Sequence, residues 1–484
     1  MPTTRGPGGG ERANARPALA TAVLVVAAVA APGGTLAGRA LAGGSLSGPP
    51  RVAREPVELW TRSLDVSARG VALGSAADLD SDGLDELMFH VHMGGDSSEL
   101  VVLGGTDGSE LWRVAFPGRS RVLAVDVGSD GRKEVVAACG DDLSVLDGAT
   151  GERLGGCALE GHVGDIACGR GAAGPFLVCT SGEKHDDTMV VVSGEGLREL
   201  WRVEAVRDRG PAGKGFTFPV ALDVNGDGRD EVLVAENGNR LLCFAGSGEL
   251  RWDVGLGRNE RLNPEGVVSS LPVVADLLGD GVLELAVGCF AGDVVVMDAA
   301  AGEVLDRARY GVDSHEKHMG DSRVPGFIKA LLGRVGEPVN CLTPVELDGG
   351  PGLELVLGCS DEHVYAFDPG RGATIWRVGT RETVYEPCLQ LDEATILAWD
   401  TTGAYVIDRV TGSVLDRGFE FGATMSLLAC EIDGSAGLEV VHVALDRSEV
   451  AAWDLGVGGA APTRDGGPAV PEDAAGEGAR ERAE

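Results

Sequence analysis

A chain of 484 residues with 75 acidic and 41 basic side chains carries a formal charge of -34, which repels nucleic acid phosphates and anionic lipid over most of its surface. Glycine, at 75 residues, is about twice its usual ~7 % share and aromatics are only 5 %, a balance that suits many tight turns between thin strands and excludes a helical bundle. The 44 % hydrophobic fraction is ample for a core and excludes an acidic disordered chain.

Arg5, Arg12 and Arg16 precede an apolar run from Ala18 to Ala31, with small residues at Ala28 and Ala30. Basic, apolar and small residues in that order form the pattern of a Sec-type signal peptide over residues 1–30. The 14-residue run falls short of the ~20 residues that span a bilayer. A retained anchor is therefore the weaker alternative, and membrane contact is expected only through that segment. The expected location is exported: secreted, periplasmic or at the cell surface. Residues 31–54 read as a linker, and residues 456–484, rich in Gly, Ala, Pro and Glu, as a disordered tail.

Between them a unit recurs: an acidic Gly-rich turn, two apolar strands, then a Gly turn leading to Trp or Leu. The clearest copies run from Asp78 to Glu86, followed by LMFHV, and from Asp223 to Glu231, followed by VLVA. Weaker copies begin at Asp126, Asp276, Glu346 and Glu431, and degenerate ones fit around Asp165 and Asp392, which makes eight units. The closing turns lead to Trp112, Leu154, Trp252, Leu305, Trp376 and Leu415. Several strands are apolar on successive residues, which implies burial on both faces. Periods of ~40 to 50 residues with four strands each describe an all-β, eight-bladed β-propeller of four-stranded antiparallel blades over residues 55–455. The eighth unit stops near Leu455 without its last strand, while an orphan strand, Glu55 to Leu64, precedes the first unit. The N-terminal strand is expected to complete the last blade and remove an open sheet edge.

The D-x-[DN]-x-D-G-x-x-E turns resemble the FG-GAP or VCBS calcium-loop repeats of integrin-type propellers. The closing turns at 147–151 and 409–412 resemble PQQ-like propeller repeats. The resemblance covers about residues 55–455 and is specific for architecture, since both repeat types occur in many unrelated proteins.

Calcium takes six to eight oxygen ligands, which a tight loop supplies from positions 1, 3 and 5, a carbonyl at position 7 and a further carboxylate. Two loops hold the full set. In the first, Asp78, Asp80, Asp82 and Glu86 are candidate ligands with the Leu84 carbonyl; in the fourth, Asp223, Asn225, Asp227 and Glu231 are candidates with the Arg229 carbonyl. An EF-hand is excluded by Phe89 and Val234 at position 12. Gly128 and Leu278 remove the third-position ligand from the second and fifth loops, and Gly350 and Ser435 at position 5 leave the sixth and eighth as turns only. The expected cofactor is structural calcium at two sites.

The links from one closing turn to the next unit are uneven. Three consecutive ones, 201–223, 252–276 and 305–346, are long, and the segments 205–218, 255–269 and 309–337 within them hold ten Lys or Arg against seven Asp or Glu. Arg207, Arg209, Lys214, Phe216, Phe218, Arg258, Arg261, Lys317, Arg323, Lys329 and Arg334 thus form a candidate partner face for a protein, a glycan or a small anion; plain solvated insertions are the alternative. The ten cysteines show no CxxC and no adjacent pair, and three of them follow a recurring Glu by five residues in the same strand, as small buried residues do. No GxSxG, HExxH or GxxxxGK motif occurs. The expected function is a non-enzymatic binding or scaffold protein. The alternatives are a propeller enzyme, either a polysaccharide lyase or hydrolase or a quinoprotein-like dehydrogenase whose usual adjacent Cys pair this chain lacks, and a scaffold similar to the outer-membrane assembly propellers.

Overall fold

The computed structural model describes residues 57–454 apart from 65–69, 93–96, 119, 162, 182–187, 206–214, 237–238, 258–266, 311–336, 392–393, 420–423, 435–438 and 445–448. The N-terminal apolar run, the linker and the C-terminal tail lie outside these residues, as does Asp392. Eight four-stranded antiparallel sheets follow one another along the chain. Their strands fall within 70–116, 120–158, 163–204, 216–255, 273–309, 339–379, 389–419 and 424–454, blades 1 to 8 in that order. Blade 8 has only three strands of its own, and Val57–Ser63 supplies the fourth by pairing antiparallel with Glu449–Asp454. The ring is therefore closed by the first strand, as the orphan strand predicts.

The second and third strands of each blade read as continuous apolar runs because they are covered on both faces. Glu231–Glu236 and Arg240–Phe244, for example, are buried along their whole length. Hydrophobic clusters bridge neighbouring blades: Leu87, Phe89 and Val101 of blade 1 pack with Ile432, Val441 and Val450 of blade 8. Stacked sheets of this kind turn each blade's two faces into core.

The outer strands share a device that their composition conceals. In all eight the register slips by one residue at the same place, a β-bulge that raises local twist and re-aims the next side chain. The extra residue is Leu59, Leu111, Leu154, Leu200, Arg251, Leu305, Ile375 or Leu415. In five of the blades the residue after the bulge is a tryptophan, whose Nε1–H donates to a backbone carbonyl in the next blade's closing turn. Trp60 reaches Gly105 at 2.7 Å, Trp112 Gly148 at 2.8 Å, Trp201 Gly246 at 2.9 Å, Trp252 Ala299 at 3.0 Å and Trp376 Arg409 at 2.8 Å. Each ring also lies on a left-handed glycine of that turn. A Cβ added at Gly302 (φ +72°) would meet the Trp252 ring at 2.7 Å, so only glycine admits the stacking.

This corrects the equivalence drawn between closing Trp and closing Leu. Leu154 and Leu305 occupy the bulge and are exposed, like Leu111. The positions matching Trp are Gly155, Asp306 and Asp416. The blade 7 outer strand faces blade 8, whose third and fourth strands, Glu449–Asp454 and Val57–Ser63, are distant in the chain and share no closing turn. Between blades 2 and 3 the partners are exchanged: Gly155 stands for the tryptophan, and Leu197, held at φ +48°, stands for the glycine. The placement of the third repeat also changes. Asp165 is a buried residue of the inner strand Val163–Gly171, 3.6 Å from Arg121, and the turn into the next strand comes at 172–173.

All ten cysteines are unpaired and eight are buried, among them Cys139, Cys289 and Cys359. They serve as small core residues, and burial pushes the thiols of Cys179 and Cys289 up to about 12.

Candidate metal loops and the link face

The acidic turns join the first and second strands of their blades, on the face opposite the long links. In the first loop the chain winds around its own carboxylates. Asp78 accepts the N–H groups of Ser81 (2.7 Å) and Gly83 (3.1 Å), Asp80 that of Asp82 (3.1 Å), and Asp82 that of Leu84 (2.8 Å). Gly83 supplies the left-handed turn at φ +92°. Glu86, the first residue of the following strand, is 4 % exposed and accepts the Leu79 N–H at 2.7 Å. One carboxylate oxygen each from Asp78, Asp80 and Glu86 lies within 4.8 Å of the others. Burial, helped by the charges of Asp80, Asp82 and Asp78, pushes the Glu86 carboxyl up to about 7. Asp82 lies outside that trio.

The fourth loop repeats the winding. Asp223 accepts from Gly226 (2.7 Å), Asp227 (3.1 Å) and Gly228 (2.7 Å), and Asp227 accepts from Arg229 (2.9 Å). Its difference lies at position 3, where Asn225 donates from Nδ2 to Glu231 at 2.7 Å while its Oδ1 accepts the Asp227 N–H. Burial raises the Glu231 carboxyl, and the neutral amide adds no charge beside it. The second and fifth loops keep the same frame, with Asp126 accepting from Asp130 and Gly131 and Asp276 from Gly279, Asp280 and Gly281, but offer no side-chain oxygen at position 3.

Two further carboxylate trios are brought together: Glu346 with Asp348 and Glu354, and Glu431 with Asp433 and Glu439. A reading keyed to position 5 passes over them. The signal was present at positions 1, 3 and 9, because the returning strand carries its Glu back under the loop in all six acidic copies.

The carboxylate after position 7 also ties loops to the preceding blade. Asp85 donates its N–H to the Glu431 carbonyl (2.7 Å) and accepts the Glu431 N–H on Oδ2 (3.1 Å). Asp230 makes the same pair of bonds with Arg170, at 2.9 and 2.6 Å.

On the opposite face, where the links cross, four consecutive blades bury a carboxylate at the turn between their second and third strands. Glu236, Asp293, Asp361 and Asp400 are 2 %, 1 %, 6 % and 2 % exposed. Glu236 pairs with Arg240 and Asp293 with Arg309 (2.6 Å). Asp361 accepts from the Tyr365 hydroxyl, and Asp400 accepts from Tyr405 (2.7 Å) and from the Arg381 and Glu382 N–H groups of the link that leads into blade 7. Burial opposes charge on Asp361 and Asp400, but the hydrogen bonds prevail and hold both below the usual carboxylate range. Of the candidate partner face, only Phe216 and Phe218 fall among the described residues. Phe216 is fully enclosed in the core shared by blades 3 and 4 and is not offered to a partner, whereas Phe218 is partly buried against the core shared by blades 4 and 5. Arg207, Arg209, Lys214, Arg258, Arg261, Lys317, Arg323, Lys329 and Arg334 lie outside the described residues.

The model of the FG-GAP-like repeat family matches residues 223–287, from the fourth acidic loop into the fifth repeat. No curated protein matches the chain in sequence. Among solved structures, the Saccharomyces cerevisiae protein Sqt1 is 11 % identical with a TM-score of 0.59, covering 82 % of this chain and 98 % of its own. The V. cholerae biofilm matrix protein Bap1 is 16 % identical with a TM-score of 0.52, covering 82 % of this chain and 90 % of its own. The computationally designed protein Ika8 is 16 % identical with a TM-score of 0.51, covering 82 % and 99 %. The likenesses share the fold. The chain is an eight-bladed β-propeller in which residues 223–287 match an FG-GAP-like repeat.

Proposed function

We propose that this propeller is an exported, non-enzymatic binding or scaffold protein whose acidic loops hold structural calcium and whose link face meets a protein or glycan. The observation that carries the calcium reading is the convergence of Asp78, Asp80 and Glu86 oxygens within 4.8 Å on a backbone already wound around them. The donors are all hard oxygens, which suits calcium and offers little to softer metals. Asp78, Asp80, Asp82, Glu86 and the Leu84 carbonyl would hold one ion; Asp223, Asn225, Asp227, Glu231 and the Arg229 carbonyl would hold a second. The ion would offset the repulsion that gathers these carboxylates, so its role is to stabilise the start of the second strand.

The position of the link face is supported by the four buried carboxylates of blades 4 to 7, which lie at the turns on the face that the links cross. Buried and paired charge costs stability compared with apolar packing, and its recurrence at the same turn of four consecutive blades fits a surface kept for recognition.

Metal analysis of the purified protein should find calcium, and a chelator should lower its melting temperature. Asp80→Ala combined with Asp227→Ala should abolish that sensitivity. No chelator effect on the parent protein would overturn the calcium assignment.

A further inference from the structure

We propose that cation binding in the first loop locks the ring at the seam between blades 8 and 1; this rests on the calcium reading above. Val57–Ser63 is tied by the chain to blade 1 and docks on it through Trp60, so opening the ring requires the three strands that blade 8 owns to part from Val57–Ser63 and blade 1; among the described residues, two sets of polar contacts cross that cut. One is the ladder between Val57–Ser63 and Glu449–Asp454. The other is the two-bond staple between Asp85 and Glu431, residues 346 positions apart in the chain.

Asp85 sits between two of the groups that would hold the ion, the Leu84 carbonyl and the Glu86 carboxylate. Fixing both neighbours fixes the Asp85 backbone, whose N–H and side chain are the blade 1 half of the staple. The packing behind the staple is tight. A Cβ added at Gly105 would lie 2.2 Å from the Asp85 carbonyl oxygen and 2.7 Å from Ile432 of blade 8, so loop, closing turn and partner blade move together or not at all. The fourth loop has the same staple, Asp230 with Arg170, but its two blades are joined directly by continuous chain. Ordering that loop stiffens a junction the backbone already holds. Ordering the first loop acts where the ring is held across the cut without a bond. Coupling of this kind is reciprocal: an ion that favours the closed ring is itself bound more tightly by it.

The test is hydrogen exchange on the full chain with calcium and with chelator, alongside a calcium titration for stoichiometry. Calcium is expected to slow exchange of residues 57–63 and 449–454 by a factor of about 5 to 150. Asp85→Ala, which removes no ligand, should still bind calcium in both loops but lose most of that slowing; Asp230→Ala should retain it. If calcium binds and the closing strands exchange at an unchanged rate, the locking proposal fails while the calcium reading stands. If no calcium binds, both fail. If Asp85→Ala slows as fully as the parent, the staple is not the route and the proposal is overturned.

Discussion

The first and fourth acidic loops are nearly the same nine residues put to different uses. Each winds around an aspartate at position 1, each returns a buried glutamate at position 9, and each staples its blade to the one before. The fourth loop joins blades that are consecutive in the chain. The first joins blade 1 to blade 8, where the ring has only side chains, a staple and one strand to hold it. Identical local chemistry thus has different leverage, because seven blades are each built from continuous chain, whereas blade 8 is joined to Val57–Ser63 by strand pairing alone.

The strongest way to break this comparison is to remove a docking tryptophan at each kind of seam. Trp60→Ala and Trp252→Ala each empty a buried site, and denaturant unfolding should show a loss of about 3–5 kcal/mol for either. Only Trp60→Ala should also speed exchange in residues 57–63; equal behaviour of the closing strand in the two variants would erase the distinction between seams.

The exchanged seam between blades 2 and 3 sharpens it. Leu197→Gly alone should cost about 2–4 kcal/mol, and Gly155→Trp alone should also destabilise, by about 1–3 kcal/mol, because the Leu197 Cβ stands where every docking ring needs glycine. Together they restore the arrangement of the other five seams. A double-mutant cycle should show favourable coupling of about 0.5–3 kcal/mol, and strict additivity would mean the two positions are not exchanged partners.

The closing blade should also answer to pH. His442 of blade 8 accepts the Trp453 Nε1–H on Nδ1 at 3.2 Å, and burial lowers its pKa below the ordinary 6.5 despite the nearby Glu58 of the closing strand. The folded state therefore holds fewer protons than the unfolded state. The stability this contributes is present above pH ~6.5 and is lost as pH falls toward the folded value, by at most about 1.4 kcal/mol per unit. His442→Gln should flatten that slope in thermal melts between pH 7 and 5.

The smallest expected effect is that of the staples alone. Asp85→Ala and Asp230→Ala should each cost about 1 kcal/mol in metal-free protein, the worth of one hydrogen-bonded partner, and should diverge only when calcium is added.

Much of this was open to reading from the residues. The Asp-Gly turns, the apolar pairs of strands and the orphan strand before residue 65 specify blades, their number and the way the ring closes, since each follows from local period and turn chemistry. The two complete loops were legible because their ligands lie within nine consecutive residues. The trios at Glu346 and Glu431 lie on the same nine-residue spacing, but Gly350 and Ser435 at position 5 mask the pattern when a full ligand set is required. The bulge was hidden as well: Leu154 and Trp112 look equivalent when only spacing is counted, and pairing alone reveals that one lies at the bulge and the other after it. Phe216 reads as an aromatic on a basic link, but the inner strand of blade 4 takes it into the core, while Phe218 beside it stays partly exposed.

The sequence by itself determined the repeat, the turn chemistry and the candidate ligands, because these depend on neighbours a few residues apart. The tertiary structure decided which seam each loop holds, which side chains dock between blades and where charge is buried, because those depend on residues as distant as Asp85 and Glu431 meeting when a ring of eight sheets closes on itself.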